Sequence, residues 1–373
     1  MEKTLFLDLP SSILNMWRVI NCEYETRLVG GAVRDMILGV KPKDYDFCTV
    51  ATPEQMIAFA EEYGYRIEPT GLQHGTVSFI LDDEAYEFTT LRVDTDCDGR
   101  HATVEFTTSF KDDAARRDFT INAMSADVRG TVYDYFGGLE DLTGEFVTIR
   151  FVGDAEDRIR EDYLRVLRFF RFAARFDAGM DWSALKFMCT DEVHEGLKKV
   201  SRERIWAEIS KLAVAPAREA AITQMVLTGV FNAIGMRHNS MTAVCMANAK
   251  DAPTFMAGFC GDRSPEGFGM FWKMSNEEID KMAHVYRTAP FWGTREMVSD
   301  ILDDTRADFV RACAHVWFPS LSDDEFAEIY VSVPKFMVKG RDLIAEGFSP
   351  GPELGKELKR RRAEWKRKHM EGL

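Results

Sequence analysis

Alternation of apolar and polar residues, the mark of a half-buried strand, is confined in this 373-residue chain to the part before about residue 146. From there to the end the apolar spacing is helical. An α+β head followed by an all-helical remainder is the architecture this pattern predicts.

Within the head, a helix is expected from Pro10 to Cys22, then a strand over Arg27–Val29 that runs into Gly30-Gly31. Ala32–Leu38 has helical character, and Gly39 ends it. Tyr45–Thr49 reads as a strand. Thr52 is a natural N-cap with Pro53 at the first helical position, so a helix should run to Tyr63 and stop at Gly64. Thr76–Leu81 and Tyr86–Arg92 alternate and are joined by Asp82-Asp83-Glu84, which suggests a hairpin. Asp94–His101 is polar and reads as a loop, and Val132–Tyr135 as a last short strand. The helical remainder breaks near Asp177–Asp181, Ala215–Pro216, Asp251–Pro253, Gly258–Gly269, Pro319–Asp323 and Phe348–Pro352.

The chemistry centres on Asp44-x-Asp46. Two aspartates two apart on a strand project to one face, while Tyr45 and Phe47 turn toward the core. Such a pair calls for a cation between its members. Mg²⁺ is the natural one, held by one or two carboxylates plus substrate phosphates. Two such ions would serve phosphoryl or nucleotidyl transfer. Glu87, between Tyr86 and Phe88, would be a third carboxylate from a neighbouring strand; an ordinary solvent-facing glutamate is the alternative.

Other motifs point to nucleotide phosphates. Gly30-Gly31 before a helix lets backbone N–H groups approach a phosphate, though an ordinary strand-to-helix turn would look the same. Arg117, in Arg116-Arg117-Asp118, offers a fork suited to triphosphate oxygens. Asp118 and Asn122 are four apart and would share a helix face, where they could hold a ribose hydroxyl. In Glu161-Asp162-x-x-Arg165-x-x-Arg168 an aspartate and an arginine share a helical face, with an acceptor and donors for the edge of a base. Intrahelical ion pairing is the plainer alternative. Arg168, Arg171 and Arg175 extend a basic stripe beside an apolar one of Leu164, Leu167, Phe170 and Ala174.

The net charge of −14 weighs against a nucleic-acid partner, but two regions are locally basic: Arg158–Arg175 and the C-terminal KELKRRRAEWKRKHM. In the latter, Arg361, Lys366 and Arg367 around Trp365 suit RNA backbone contact with stacking, or simply a solvated helix face. No apolar run approaches the roughly 20 residues that cross a membrane. No signal or transit pattern opens the chain, so cytoplasm is the expected compartment. Seven scattered cysteines without C-x-x-C and seven dispersed histidines argue against a disulfide framework and a zinc site. No stable protein partner is evident, and a homodimer stays open.

The ordered motifs GGAVRDMILG, KDYDF, HGTVSF, YEFTTLRVD, DGRHATVEFTTSF, RRDFTINAM, DYFGGLEDL, EDYLRVLRFFRFAARF and SRERIW closely resemble the class II CCA-adding enzymes (tRNA nucleotidyltransferases) and the related bacterial poly(A) polymerases. The resemblance runs from Leu28 to about Trp206, and VKGRDLIAEGFSPGPELGKELKRRRAEW is similar to the family's C-terminal portion. It implies a polymerase-β-like nucleotidyltransferase palm over 1–145, a helical neck with the nucleotide-selecting helix over 146–210, a body over 211–300 and a tRNA-binding tail over 301–373. It implies that Asp44 and Asp46 bind two Mg²⁺ with Glu87 as third carboxylate. Gly30, Gly31, Arg34, Arg117, Asp118, Asn122 and Arg168 would belong to the nucleotide site. Asp162 and Arg165 would select CTP and then ATP. The loop Arg92–His101 would be the flexible element tied to the switch from C to A, and Ser201–Arg204 would brace the neck. The implied reaction is untemplated CCA addition to the 3′ end of tRNA. Addition of A alone, CC alone or poly(A) is the near alternative. A non-catalytic tRNA-binding protein is the alternative of another class.

Overall fold

The computed structural model describes residues 3–97, 102–238, 242–261, 263–288, 299, 307–333 and 336–370. They form two compact units, Met1–Val200 with Thr223–Val230, and Ser201–Ile222 with Phe231–Leu373.

The first unit begins with α1 (Ser11–Glu23), β1 (Thr26–Val29), α2 (Gly31–Ile37), β2 (Asp46–Thr49) and α3 (Pro53–Tyr63). The Thr52 hydroxyl and the Gln55 side chain close a reciprocal capping box on α3, and Gly64 ends it in the left-handed region. Next come β3 (Arg66–Gly71), β4 (Thr76–Leu81) and β5 (Glu84–Thr90). Asp82 and Asp83 both have positive φ, 52° and 62°, and make a two-residue hairpin turn with Leu81 opposite Glu84. β5 therefore starts two residues before the expected Tyr86, and β3 was not anticipated.

Residues 92–97 depart from the expected loop. They form β6 (Arg92–Cys97), paired antiparallel with β7 (Ala102–Phe106). The rest of the expected element, 98–101, lies outside the described residues. The unit continues with α4 (Phe110–Ala115), β8 (Ser125–Ala126), β9 (Val132–Tyr133), α5 (Gly138–Thr143), β10 (Thr148–Ile149), α6 (Ala155–Glu161), α7 (Leu164–Phe176), β11 (Gly179–Met180), α8 (Trp182–Met188) and α9 (Asp191–Lys199). β10 and β11 are a two-residue parallel pair inside the region expected to be wholly helical.

Seven strands form one mixed sheet in the order β3-β4-β5-β2-β1-β8-β9. β2 and β5 are its parallel pair. Phe47 and Phe88 stand opposite each other there and stack with centroids 4.5 Å apart, with Trp17 edge-on to Phe47 and Phe79 edge-on to Phe88, both at 5.0 Å. This aromatic core fixes one face of β2 and β5 inward, so the alternating residues Asp46 and Glu87 must take the other face. A second aromatic cluster, Phe119, Phe151, Phe169 and Phe172, anchors α7. The expected apolar stripe of α7 is buried as predicted, and Arg171 is buried with it.

In the second unit, α10 (Arg202–Leu212) is joined by helices including Thr242–Asn248, Ala252–Ala257, Pro265–Phe271, Asn276–Thr288, Ala307–Trp317, Asp323–Ser332, Gly340–Ala345 and Pro352–Met370. Helix Pro265–Phe271 overlaps the expected break at Gly258–Gly269; Ser264 caps it, accepting from the Gly267 N–H. The Met- and Phe-rich middle supplies the core, with Phe255, Phe259, Phe268 and Trp272 buried.

Candidate active site

Asp46 opens β2 and pairs in parallel register with Glu87 of β5. Asp44 precedes the strand rather than lying on it. Together with Lys43, Tyr45, Glu84, Ala85 and Tyr86 these carboxylates line an open cleft of about 520 Å³. All three keep exposed side chains. Partial loss of water around the carboxyl in the cleft raises the Asp46 pKa most; the Glu87 charge raises it further, Arg117 opposes it, and Asp44 adds a smaller push. Among the described residues, no three His, Cys, Asp or Glu side chains already enclose a metal-sized site.

Beyond the cleft, four of the expected nucleotide-site residues are joined in one polar chain. Arg34 is buried, donates from Nη1 to Asn122 Oδ1 at 2.5 Å, and pairs with Asp35 through Nε at 2.9 Å. Asn122 Nδ2 donates to Asp118 Oδ1 at 3.0 Å, and Arg168 Nε donates to Asp118 Oδ2 at 2.7 Å. At the other end, Arg175 Nη2 donates to both Asp35 oxygens, at 3.0 and 3.1 Å. The sequence therefore runs Arg175, Asp35, Arg34, Asn122, Asp118, Arg168. Burial would raise Asp118, but Arg168 and the Asn122 and Phe119 N–H donors outweigh it and hold the carboxyl below its ordinary range. Asp118 and Asn122 meet as their spacing suggests, though the backbone between them is a 3₁₀ turn, Thr120–Asn122, and not an α-helix.

Gly30 explains itself by contact. Its φ is +65°, and an added Cβ would stand 2.9 Å from Arg117 Nη1. Its N–H already bonds the Met124 carbonyl at 3.1 Å, so it is not a donor left over for phosphate. Gly31 starts α2, whose N-terminus has no side-chain cap. Arg117 itself leans on Asp113 at 3.2 Å, as Arg116 does at 2.8 Å.

The expected Glu161–Arg168 helix is broken. α6 ends at Glu161, Asp162 is extended, and α7 starts at Leu164. Asp162 Oδ1 accepts from the Leu164 N–H at 3.1 Å. Arg165 Nη1 donates to Glu161 Oε2 at 2.5 Å and to the Arg158 carbonyl at 2.8 Å. Tyr163, at the break, packs closely on α9: a Cβ on Gly196 would stand 2.3 Å from its ring.

In the C-terminal helix, Arg361 donates to Glu346 Oε1 at 2.9 Å and to Glu357 Oε1 at 2.9 Å. Trp365 lies against Phe336 and His369, with centroids 5.7 and 4.4 Å away. Lys366 and Arg367 stand on the same helix, Lys366 half-buried and Arg367 exposed.

Sequence reasoning missed Asp35 and Asp113 as partners of the arginines. Asp113 was findable, since it stands three and four residues before Arg116 and Arg117. Asp35 had no signal beyond following Arg34, because its second partner is 140 residues away.

A mixed sheet with clustered carboxylates at the mouth of its parallel pair defines a nucleotidyltransferase head, and the family model described as "Poly A polymerase head domain" matches residues 26–148. Over most of its length the chain is similar to CCA tRNA nucleotidyltransferase 1, mitochondrial, of Danio rerio: 35% identical over 364 residues, covering 92% of this chain and 84% of that protein. It is 37% identical over 361 residues to the CCA-adding enzyme of Enterococcus faecalis, covering 91% and 87%. The chain belongs to the CCA tRNA nucleotidyltransferase family. Among solved structures, the Bacillus stearothermophilus CCA-adding enzyme in complex with CTP matches with TM-score 0.73 and 25% identity, covering 94% of this chain and 91% of that one. The Thermotoga maritima CCA-adding enzyme complexed with tRNA shares the fold, at TM-score 0.64 and 20% identity over 98% and 92% of the two chains. No helix among the described residues is long and apolar enough to cross a membrane.

Proposed function

We propose that this chain adds CCA to the 3′ end of tRNA, using CTP and then ATP and releasing pyrophosphate. The observation that carries this is the group of Asp44, Asp46 and Glu87 in one cleft of a chain belonging to the CCA-adding family. In the reaction the terminal ribose hydroxyl of the RNA attacks the α-phosphorus of the nucleotide, and pyrophosphate leaves.

The cleft suits Mg²⁺ in chemistry. Its donors are hard carboxylate oxygens; after desolvation, the Glu87 charge does most to raise Asp46, a repulsion that a cation relieves. Asp44 and Asp46 would hold two ions with Glu87 beside them. Bound there, the ions would supply charge neutralisation and a more acidic attacking hydroxyl.

The other assignments belong to the same proposal. Gly31, Arg34 and Arg117 serve the triphosphate, and Gly30 serves it indirectly by leaving room for the Arg117 guanidinium. Asp118, Asn122 and Arg168 hold the sugar end of the site, acting through the polar chain that joins them. Asp162 and Arg165 choose the base. Arg165 Nε and Nη2 have no hydrogen-bond partner among the described residues, which leaves donors for that task. Arg361, Lys366 and Arg367 contact tRNA from the tail. The division into head, neck, body and tail at 145, 210 and 300, and a cytoplasmic setting, complete the proposal.

The test supplies tRNAs lacking all of CCA, ending after the first C and ending after the second C, with Mg²⁺ and with CTP or ATP separately. Stepwise C, C, A incorporation is expected. No incorporation of C sinks the proposal, and A alone or CC alone would replace it with the restricted activity. Tight tRNA binding without turnover would mark a non-catalytic binder.

A further inference from the structure

The chain holds 61 acidic against 47 basic residues, so an arginine on its surface ordinarily meets a carboxylate. Among those in the second unit that do not, two share one aromatic ring. Arg202, at the first turn of α10, and Arg263, just before helix Pro265–Phe271, both lie over the ring of Phe271. Their guanidinium carbons are 4.2 and 4.8 Å from its centroid. Arg202 Nη1 donates to the Ile234 carbonyl at 2.7 Å, and Arg263 Nη1 reaches the Gly235 carbonyl at 3.5 Å. Each contact uses one nitrogen of a fork that carries five N–H donors on three. Neither guanidinium forms an ion pair among the described residues. Both side chains are half-buried. Burial, and then the like charge of Arg263, lowers the Arg202 pKa.

Arg237 stands beside them. It forms an isolated bridge with Cys260, is exposed, and has its stem against Gly261, where a Cβ would come within 3.0 Å. It too has no ion pair among the described residues.

The Phe271 ring attracts each cation but cannot cancel their net charge. An oxyanion can, and guanidinium forks match phosphate oxygens bidentately. Because the ring is already engaged by both arginines, the site offers charge without a free stacking face. That suits sequence-independent contact with a backbone phosphate better than recognition of a base.

We propose that Arg202 and Arg263, with Arg237 beside them, bind a phosphodiester of the tRNA backbone. The inference rests on the tRNA reading given above, and its test separates the two. Affinity of the full chain for tRNA is measured against salt concentration for the wild type, for Arg202→Gln/Arg263→Gln and for Arg202→Lys/Arg263→Lys. The Gln pair should bind several-fold more weakly at fixed salt. Its slope of log K against log salt should fall by about one to two. The Lys pair should keep the wild-type slope, and KM for CTP at saturating tRNA should not move. A wild-type slope in a Gln pair with unchanged melting temperature overturns the proposal. So does equal impairment of the Gln and Lys pairs, which would assign the arginines to packing. A changed KM for CTP with unchanged tRNA affinity would give the site to free nucleotide and overturn it equally. The binding readout does not need turnover, so absent CTP incorporation by the wild type would count against the activity alone.

Discussion

Asp46 and Glu87 stand directly opposite each other on parallel strands β2 and β5, one step along from the stacked pair Phe47 and Phe88. Two carboxylates are thus held side by side by an aromatic core that cannot slip without exposing itself. The arrangement favours function over stability. The folded state raises the Asp46 pKa, so this group favours folding at low pH and loses that contribution as pH rises through the raised value. Asp46→Asn should therefore melt higher than wild type at neutral pH without divalent cation. The gain should be a few tenths to about 1 kcal/mol, because the side chain is exposed. The same variant should lose roughly 10²–10³-fold or more in turnover. Thermal melts with and without Mg²⁺, beside a CTP-incorporation assay, check both.

Glu87→Gln removes the second-largest cause that raises Asp46. If ionised Asp46 is needed for turnover, the acidic limb of the pH–rate profile should move to lower pH. A limb that stays in place would show that Glu87 does not control the titrating group.

Asp118 is held low by Arg168, so its contribution to stability is present above the unfolded carboxyl value and is lost as pH falls through the folded one. Asp118→Ala should cost toward the low end of the ~3–5 kcal/mol typical of broken buried pairs. Arg168 keeps 33% of its side chain in water, which softens the loss. The difference from wild type should shrink below the unfolded value, and denaturant titrations at neutral and acid pH measure it.

Asp35 bridges Arg34 and Arg175, and through Asn122 the same chain reaches Asp118. A double-mutant cycle of Asp35→Ala with Arg175→Ala should give a coupling of about 1–2 kcal/mol. The single variants should also share a raised KM for nucleotide, since each loosens the seat of Arg34. Additive stabilities would show that the contact carries no energy.

Gly30→Ala meets both a positive φ and the Arg117 guanidinium, whereas Gly31→Ala meets only Arg34 Nη2 at 3.4 Å. Gly30→Ala should cost about 1–3 kcal/mol in backbone strain and raise KM for CTP by displacing Arg117. Gly31→Ala should be the milder change in both assays. Equal effects would remove the special role of the Gly30 conformation.

Much of the head was legible because its signals are local. Thr52, Pro53 and Gly64 fixed α3, and the alternation over Thr76–Phe79 marked β4. β3 was missed because Pro69 breaks a strand pattern, and it is tolerated there because β3 is an edge of the sheet. The break at Asp162 was missed for a different reason. Buried positions continue through Ile159, Leu164 and Leu167 on both sides of it, so apolar spacing carries no mark of the kink. The contact that accompanies it, Tyr163 against Gly196 of α9, is tertiary.

The sequence alone determined the chemistry on offer: which carboxylates and arginines exist, which strand and helix signals surround them, and which family they resemble. Only the tertiary structure decided the partners. It set Glu87 beside Asp46, tied Arg361 to Glu346, and joined Arg168 and Arg175 to Asp118 and Asp35, 50 and 140 residues away. Local spacing fixes which way a side chain points from its own element, whereas the group it meets depends on how distant elements pack against that face.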